Sequence, residues 1–246
     1  MSGTSAREEI LGQITRALKS GAESDPVLET TLRSGRGAGA NASSDEARAT
    51  LEIGSRCERD RARLLAQFES ELLTIGVQVH HASSIASAAE YIERIAVERK
   101  AKTVVAADAE VVERIDLQNR LRSAGIRYVT EASAADLRSI AIDAGIGVSG
   151  VDYALADTGT LVLLAREGQP RSISLVPPVH IAIVKADQVV HGLDDLFGLL
   201  RSEKGVRDLG SAVTFITGAS RTADIELTLV VGVHGPQELH VVIVPN

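Results

Sequence analysis

The sequence predicts an α/β protein, and three observations carry that expectation. Between about residues 47 and 144, helix-length amphipathic segments alternate with short apolar runs, the pattern of a doubly wound α/β layer. From Gly145 onward the chain becomes mostly strands and turns, with one helix at about Asp194 to Lys204. Hydrophobic residues make up 44% of 246 and aromatics only 2%, so the chain can bury a large core and that core is aliphatic and Ala-rich.

The elements follow in order. Residues 6–20 have helical spacing, with Ser5 and Glu8 placed as a capping box, Ile10, Ile14 and Leu18 on one face, and Gly21 as the stop. Residues 21–46 are rich in Gly, Ala, Ser and Arg without a period, which predicts a flexible linker. The expected organisation is therefore an N-terminal helical arm and linker over 1–46, and one α/β domain over 47–246. Within the domain, 47–75 has helical spacing with Leu64, Leu65, Phe68 and Leu72 on one face, and Gly76 ends it. Val77 to His80 predicts a strand, Ser84 caps a second helix carrying Ile85, Ala89, Ile92 and Ala96, and Thr103 to Ala106 is a strand. A helix at about 109–123, a strand at Ile126 to Val129 and a helix at 134–144 complete the first half. In the second half the expected strands are Gly147 to Ser149, Thr160 to Leu164, Val179 to Val184, Gln188 to His191, Thr214 to Thr217, Ile225 to Val233 and Leu239 to Val244. With no linker between the halves, these strands read as a partly antiparallel continuation of the same sheet.

Composition excludes several classes. A formal net charge of -7 and the lack of Trp argue against a nucleic-acid surface. One cysteine, Cys57, excludes a disulfide framework and cannot by itself hold an iron–sulfur cluster. No apolar run approaches the roughly 18 residues of a membrane span, and the N-terminus lacks a signal-peptide core, so a cytoplasmic location is expected. Walker A, GxSxG and CxxC are absent, and no cofactor is expected.

Three stretches concentrate polar chemistry. In Thr214 to Pro236 the small-residue turn Gly218-Ala219-Ser220 lets backbone amides approach an anion, and Arg221 adds a planar fork of donors. Thr222, Asp224 and Glu226 follow, the two carboxylates as acid–base candidates, and His234 precedes a Gly-Pro turn. The second stretch, Asp157-Thr158-Gly159-Thr160, sets a carboxylate and two hydroxyls around a glycine before an apolar strand, and is equally what an ordinary turn requires. The third runs from Arg171 through Pro177-Pro178 to His180; Arg171 suits an anion, the isomer of the proline bonds stays open, and a lone histidine there suits a structural role. His180, His234, His240 and Asp224 have no metal-ligand spacing, so no metal is expected. Cys57, in a charged helical stretch without a nearby histidine, reads as a bystander.

Three blocks, DYALADTGTLVLL at 152–164, SLVPPVHIAIV at 174–184 and TGASRTADIELTLVVGVHGPQELHVVIV at 217–244, resemble the lactate utilization protein C family, the LUD-domain proteins. The chain departs from the family at Ala219, where a GPSRTADIE motif usually carries proline, and in its long Gly/Ala-rich linker. The resemblance implies a three-layer α/β/α fold with a mixed sheet, related to ribose-phosphate isomerase and CoA-transferase. It also implies a part in L-lactate oxidation to pyruvate alongside cysteine-rich iron–sulfur partner proteins. With a single cysteine this chain then acts as a non-redox component. Its pocket would bind a small carboxylate or phosphate through Asp157, Thr158, Gly159, Thr160, Arg171, Gly218, Ser220, Arg221 and Thr222, with Asp224, Glu226 and His234 as candidate catalytic groups. The alternative is a stand-alone enzyme of isomerase-like or CoA-transferase-like type acting on a phosphate or carboxylate substrate. A third reading makes the N-terminal helix a docking arm.

Overall fold

The computed structural model describes residues 44–107, 110–130, 134–165, 170–203, 212–222 and 230–245. All of these lie in one compact unit, Ser44–Asn246. The helix expected at 6–20, and the linker as far as residue 43, lie outside the described residues.

The long helix expected over 47–75 is two helices, α1 (Ser44–Arg59) and α2 (Arg61–Thr74), separated at Asp60. Helix α1 therefore begins within the stretch expected as linker. Leu64, Phe68 and Leu72, one helical turn apart, are fully buried along α2. Gly76 closes α2 with φ 80°, the left-handed geometry that glycine adopts most cheaply after a helix. Strand β1 (Gln78–His81) leads to α3 (Ile85–Glu98), where the Ser84 hydroxyl accepts from the Ser87 amide at 3.1 Å, as its N-cap position requires. After β2 (Thr103–Ala106) the helix expected at 109–123 is also broken, into α4 (Glu110–Glu113) and α5 (Leu117–Ser123). Strand β3 (Arg127–Val129), helix α6 (Ala134–Asp143) and strand β4 (Ile146–Gly150) complete the first half.

The second half holds β5 (Tyr153–Leu155), β6 (Thr160–Leu164), α7 (Ser172–Leu175), β7 (Val179–Lys185), β8 (Val189–Val190) and α8 (Leu193–Glu203). It closes with β9 (Val213–Ile216), β10 (Arg221–Thr222), β11 (Val230–Val231) and β12 (Glu238–Val244). Strands β5 and β10 and helix α7 are additions to the sequence reading. The strand expected over 225–233 reaches only Val231 within the described residues, and 225–229 lie outside them.

The α/β class holds, but the strands do not continue a single sheet. Six strands pair in the order β1-β12-β7-β4-β2-β3, all parallel. The antiparallel pairings gather in a separate sheet, β8-β5-β6-β9, and a short β10-β11 ribbon. The parallel sheet is buried on both faces, as parallel sheets require. On one face Val104, Ile146, Ile181 and Val242 meet α3, α4 and α5 through Ile92, Val112 and Leu121. On the other, Ala182, Val184, Val241 and Ile243 meet the small sheet and the helices carrying Phe68, Leu72 and Leu200. Small side chains set the spacing: a Cβ on Gly147 would collide with the Ile173 carbonyl oxygen of α7. Among the described residues, no helix is long and apolar enough to cross a membrane.

Two histidines lie inside this packing. His240 of β12 is 1% exposed and its Nδ1 is 2.9 Å from the Tyr91 hydroxyl of α3. His180 of β7 is fully buried, with Nε2 2.9 Å from the Ser149 hydroxyl of β4. Burial, and secondarily His240, push the His180 pKa down from 6.5 to about 4.

Two outcomes follow. Gly147→Ala overpacks the α7 contact and is expected to lower unfolding free energy by about 1–3 kcal/mol, read as the urea midpoint; an unchanged midpoint contradicts the packing. His180 has a folded pKa below its unfolded value, so acid favours the unfolded chain. Stability contributed by neutral His180 is present above about pH 6.5 and is lost as pH falls toward about 4, on the order of 3 kcal/mol in all. His180→Gln is expected to flatten that part of a pH series of unfolding curves.

Candidate functional site

The strand order locates a cleft. From β2 the chain moves outward to β3, then crosses back over β2 to β4 and continues to β7 and β12. Strand order thus reverses between β2 and β4, and in open parallel sheets the crevice beyond the carboxyl ends of such strands is where ligands bind. Ala107, just past β2, and Ser149 and Gly150, at the end of β4, line a narrow cleft there. Arg171, Ile173 and Ser174 of the α7 segment, Leu163 to Ala165 at the end of β6, and Thr214 of β9 complete it. Ala165 and Pro170 flank residues 166–169, which lie outside the described residues.

The chemistry of this cleft suits a small anion. Arg171 is exposed, and among the described residues no carboxylate pairs with it. Ser149 and Thr214 add hydroxyls, and Ser174 places its hydroxyl 3.1 Å from the Arg171 carbonyl oxygen, to which it donates. Behind Ser149 sits neutral His180, so the floor carries no competing charge. The two proline bonds that deliver the chain from α7 into β7 are trans.

The other expected anion-binding residues lie elsewhere. Thr160 begins β6 and Leu164 ends it; at strand rise these termini are roughly 14 Å apart. At the Thr160 end, hydroxyls chain from Thr158 to Thr160 (2.8 Å) and from Thr160 to Thr217 (2.8 Å). Gly159 takes φ 64°, and a Cβ there would lie 3.0 Å from the Leu72 amide nitrogen, so the turn is seated on α2. Gly218, at φ 85°, passes the same helix end at Ile75. Arg221 donates to the Ile75 carbonyl oxygen at 2.6 Å, satisfying an open acceptor where the helix dipole is negative. Ser220 is held in the backbone ladder: its amide donates to Pro236 at 2.9 Å and its carbonyl accepts from Gly232 at 2.8 Å. Thr222 pairs with Val230 in the ribbon. His234 is exposed in the turn after β11. Asp224 and Glu226 lie outside the described residues.

A second constellation escaped the sequence reading. Asp157 of the DTGT turn lies against Gly192, and both line a cleft of about 690 Å³ with Arg56, Asp60, Arg63, Gln67, His191 and Asp195. Cys57 is not isolated there: its Sγ is 3.6 Å from His191 Nδ1. Asp195 Oδ2 is 2.9 Å from the same nitrogen, and Asp60 Oδ2 is 3.1 Å from His191 Nε2. His191 and Asp195, four residues apart at a helix start, were the one local signal. Cys57 is 134 residues away from its histidine.

Comparison with known proteins agrees with this architecture. The LUD domain model matches residues 65–244. A lactate utilization protein C from Deinococcus radiodurans is 32% identical over 187 residues, covering 75% of this chain and 81% of that protein. One from Halalkalibacterium halodurans is 42% identical over 114 residues, 46% of this chain and 45% of that protein. One from Shouchella clausii is 38% identical over 103 residues, again 45% of that protein. The chain thus spans about half the length of several curated relatives that it matches. Among solved structures, a DUF162 family protein from Deinococcus radiodurans superposes with a TM-score of 0.55 at 25% identity, covering 75% of this chain and 98% of that one. With the family model covering most of the chain, and a relative aligned over most of its own length, this chain belongs to the LUD domain family.

Proposed function

We propose that this chain serves lactate utilization as a component that binds a small carboxylate and carries no redox centre of its own. The shared name of its relatives supplies the process. The observation that carries the chemistry is Arg171 beside hydroxyl groups in the cleft where strand order reverses. A guanidinium fork matches a carboxylate in two hydrogen bonds, and neighbouring Ser and Thr hydroxyls match a 2-hydroxyl or 2-oxo group. L-Lactate and pyruvate both present that pair of groups. One cysteine cannot bind a cluster, so electrons taken from lactate would pass through cysteine-rich iron–sulfur partners.

Arg171, not Arg221, is assigned the anion. Arg221 is engaged with the end of α2, where its loss affects the fold. The GASR turn and the hydroxyl chain of the DTGT turn then act as supports that seat the small sheet on α2.

Titration of the purified chain with L-lactate and pyruvate tests this assignment. Arg171→Gln is expected to weaken binding about 10–100-fold, the loss of a charge-assisted pair of roughly 1.5–3 kcal/mol. Arg221→Gln is expected to leave affinity within about 3-fold while lowering stability by about 1 kcal/mol. In a strain that depends on this chain, Arg171→Gln should also slow growth on lactate as sole carbon source. Wild-type affinity in the Arg171 variant removes the cleft from the proposal, and binding lost in the Arg221 variant moves the anion to the GASR turn.

A further inference from the structure

The cluster around Cys57 has the composition and spacing of a metal site. Its three donor atoms come from two helices: Sγ of Cys57 from the last turn of α1, Oδ2 of Asp195 from the first turn of α8, and Nδ1 of His191 from the turn before α8. They lie 3.6 Å (S to N), 3.8 Å (S to O) and 2.9 Å (N to O) apart. A regular tetrahedron with zinc-to-sulfur about 2.3 Å and zinc-to-nitrogen or oxygen about 2.0–2.1 Å separates such donors by about 3.6, 3.6 and 3.3 Å. Adjustments of about 0.4 Å or less therefore convert the hydrogen-bonded triad into a coordination set. Among the described residues this is the one group of three such donors close enough to share an ion.

The surrounding residues have the arrangement that orients metal ligands. Asp60 Oδ2 lies 3.1 Å from His191 Nε2 and is placed to accept the ring proton there once an ion takes the Nδ1 lone pair. A carboxylate behind a ligating histidine fixes its tautomer and ring plane. Asp60 is itself held by Arg63 at 2.8 Å, whose guanidinium also approaches Nε2 at 3.3 Å. Arg56 pairs with Asp195 Oδ1, the oxygen not facing the cluster. Asp195 is 8% exposed and His191 28%, so the inner face is dry and the outer face opens to the cleft lined by Asp157 and Gln67.

We propose that Cys57, His191 and Asp195 form a three-ligand Zn²⁺ site, oriented by Asp60 and Arg56, with its fourth position open to this cleft. Sulfur, nitrogen and one carboxylate oxygen are the donor set zinc accepts, whereas Ca²⁺ or Mg²⁺ would need more oxygens. Binding displaces the Cys57 thiol proton to solvent and takes the Nδ1 lone pair of His191, with the ring proton then on Nε2 toward Asp60; no oxidant or reductant enters. A nucleophilic cysteine is the competing use of these residues. Cys57 is only 5% exposed, so its sulfur is poorly presented to a substrate in the cleft, whereas an ion seated among the three donors reaches it. Water or a carboxylate can fill the fourth position.

Co²⁺ substitution tests the site in the full chain after chelator treatment. The expected result is one Co²⁺ per chain, a thiolate-to-cobalt charge-transfer band in the near ultraviolet, intense tetrahedral visible bands, and displacement by Zn²⁺. Cys57→Ala should remove the charge-transfer band, and Asp60→Asn should retain it while weakening Zn²⁺ binding about 10–100-fold. Zn²⁺ should raise the melting temperature of the wild type and not of Cys57→Ala. A wild-type chain without the thiolate band overturns the proposal, whatever becomes of the variants, and leaves the cluster a hydrogen-bonded clasp between α1 and α8. A band that persists in Cys57→Ala overturns it as well.

Discussion

Burial of the parallel sheet on both faces is the constraint from which the rest of the structure follows. Strands covered on two sides must be joined by crossovers that alternate layers, and here the chain winds outward from β2 to β3 before returning past β2 to β4. That reversal leaves a narrow cleft at the carboxyl ends of β2 and β4, bordered by the α7 segment. Packing at its edge is tight: α7 approaches so closely that position 147 accepts only glycine. The same close approach brings Arg171 and Ser174, at the start of α7, to the crevice.

The small sheet has a different task. It packs its apolar face, with Leu155, Leu161 and Val190, against α2 and α8, and so fixes the DTGT and GASR turns on the end of α2. It also brings the turn before α8 next to α1. The polar residues in this half thus divide between those that hold the layers together, such as Arg221 on Ile75, and those left facing open space, such as Arg171 and Asp157.

Much of this was legible in the sequence, and the residues show why. Strands β7 and β12 announce themselves as apolar runs because both of their faces are buried. Helix α3 carries its own cap in Ser84. Breaks within periodic segments were not legible: a single residue, Asp60, divides α1 from α2 without disturbing the apolar spacing of Leu64, Phe68 and Leu72. Nor was the division into two sheets, because β5 is three residues long and its partners are chosen by packing. At the site, Arg171 was recognisable as a candidate for an anion, while the engagement of Arg221 with the Ile75 carbonyl oxygen at the end of α2 was not, because it joins residues 146 positions apart. Cys57 looked like a bystander because its partners, His191 and Asp195, are brought to it only by the contact of α1 with α8.

The central claim is that the crevice between β2 and β4 is where this protein meets its ligand. Amide chemical-shift mapping of the full chain during an L-lactate titration addresses it most directly. The account predicts saturable shifts centred on Ser149, Gly150, Arg171, Ser174 and Thr214, with Gly218 to Arg221 little changed. Shifts centred on the GASR turn, or none at saturating lactate, would contradict it.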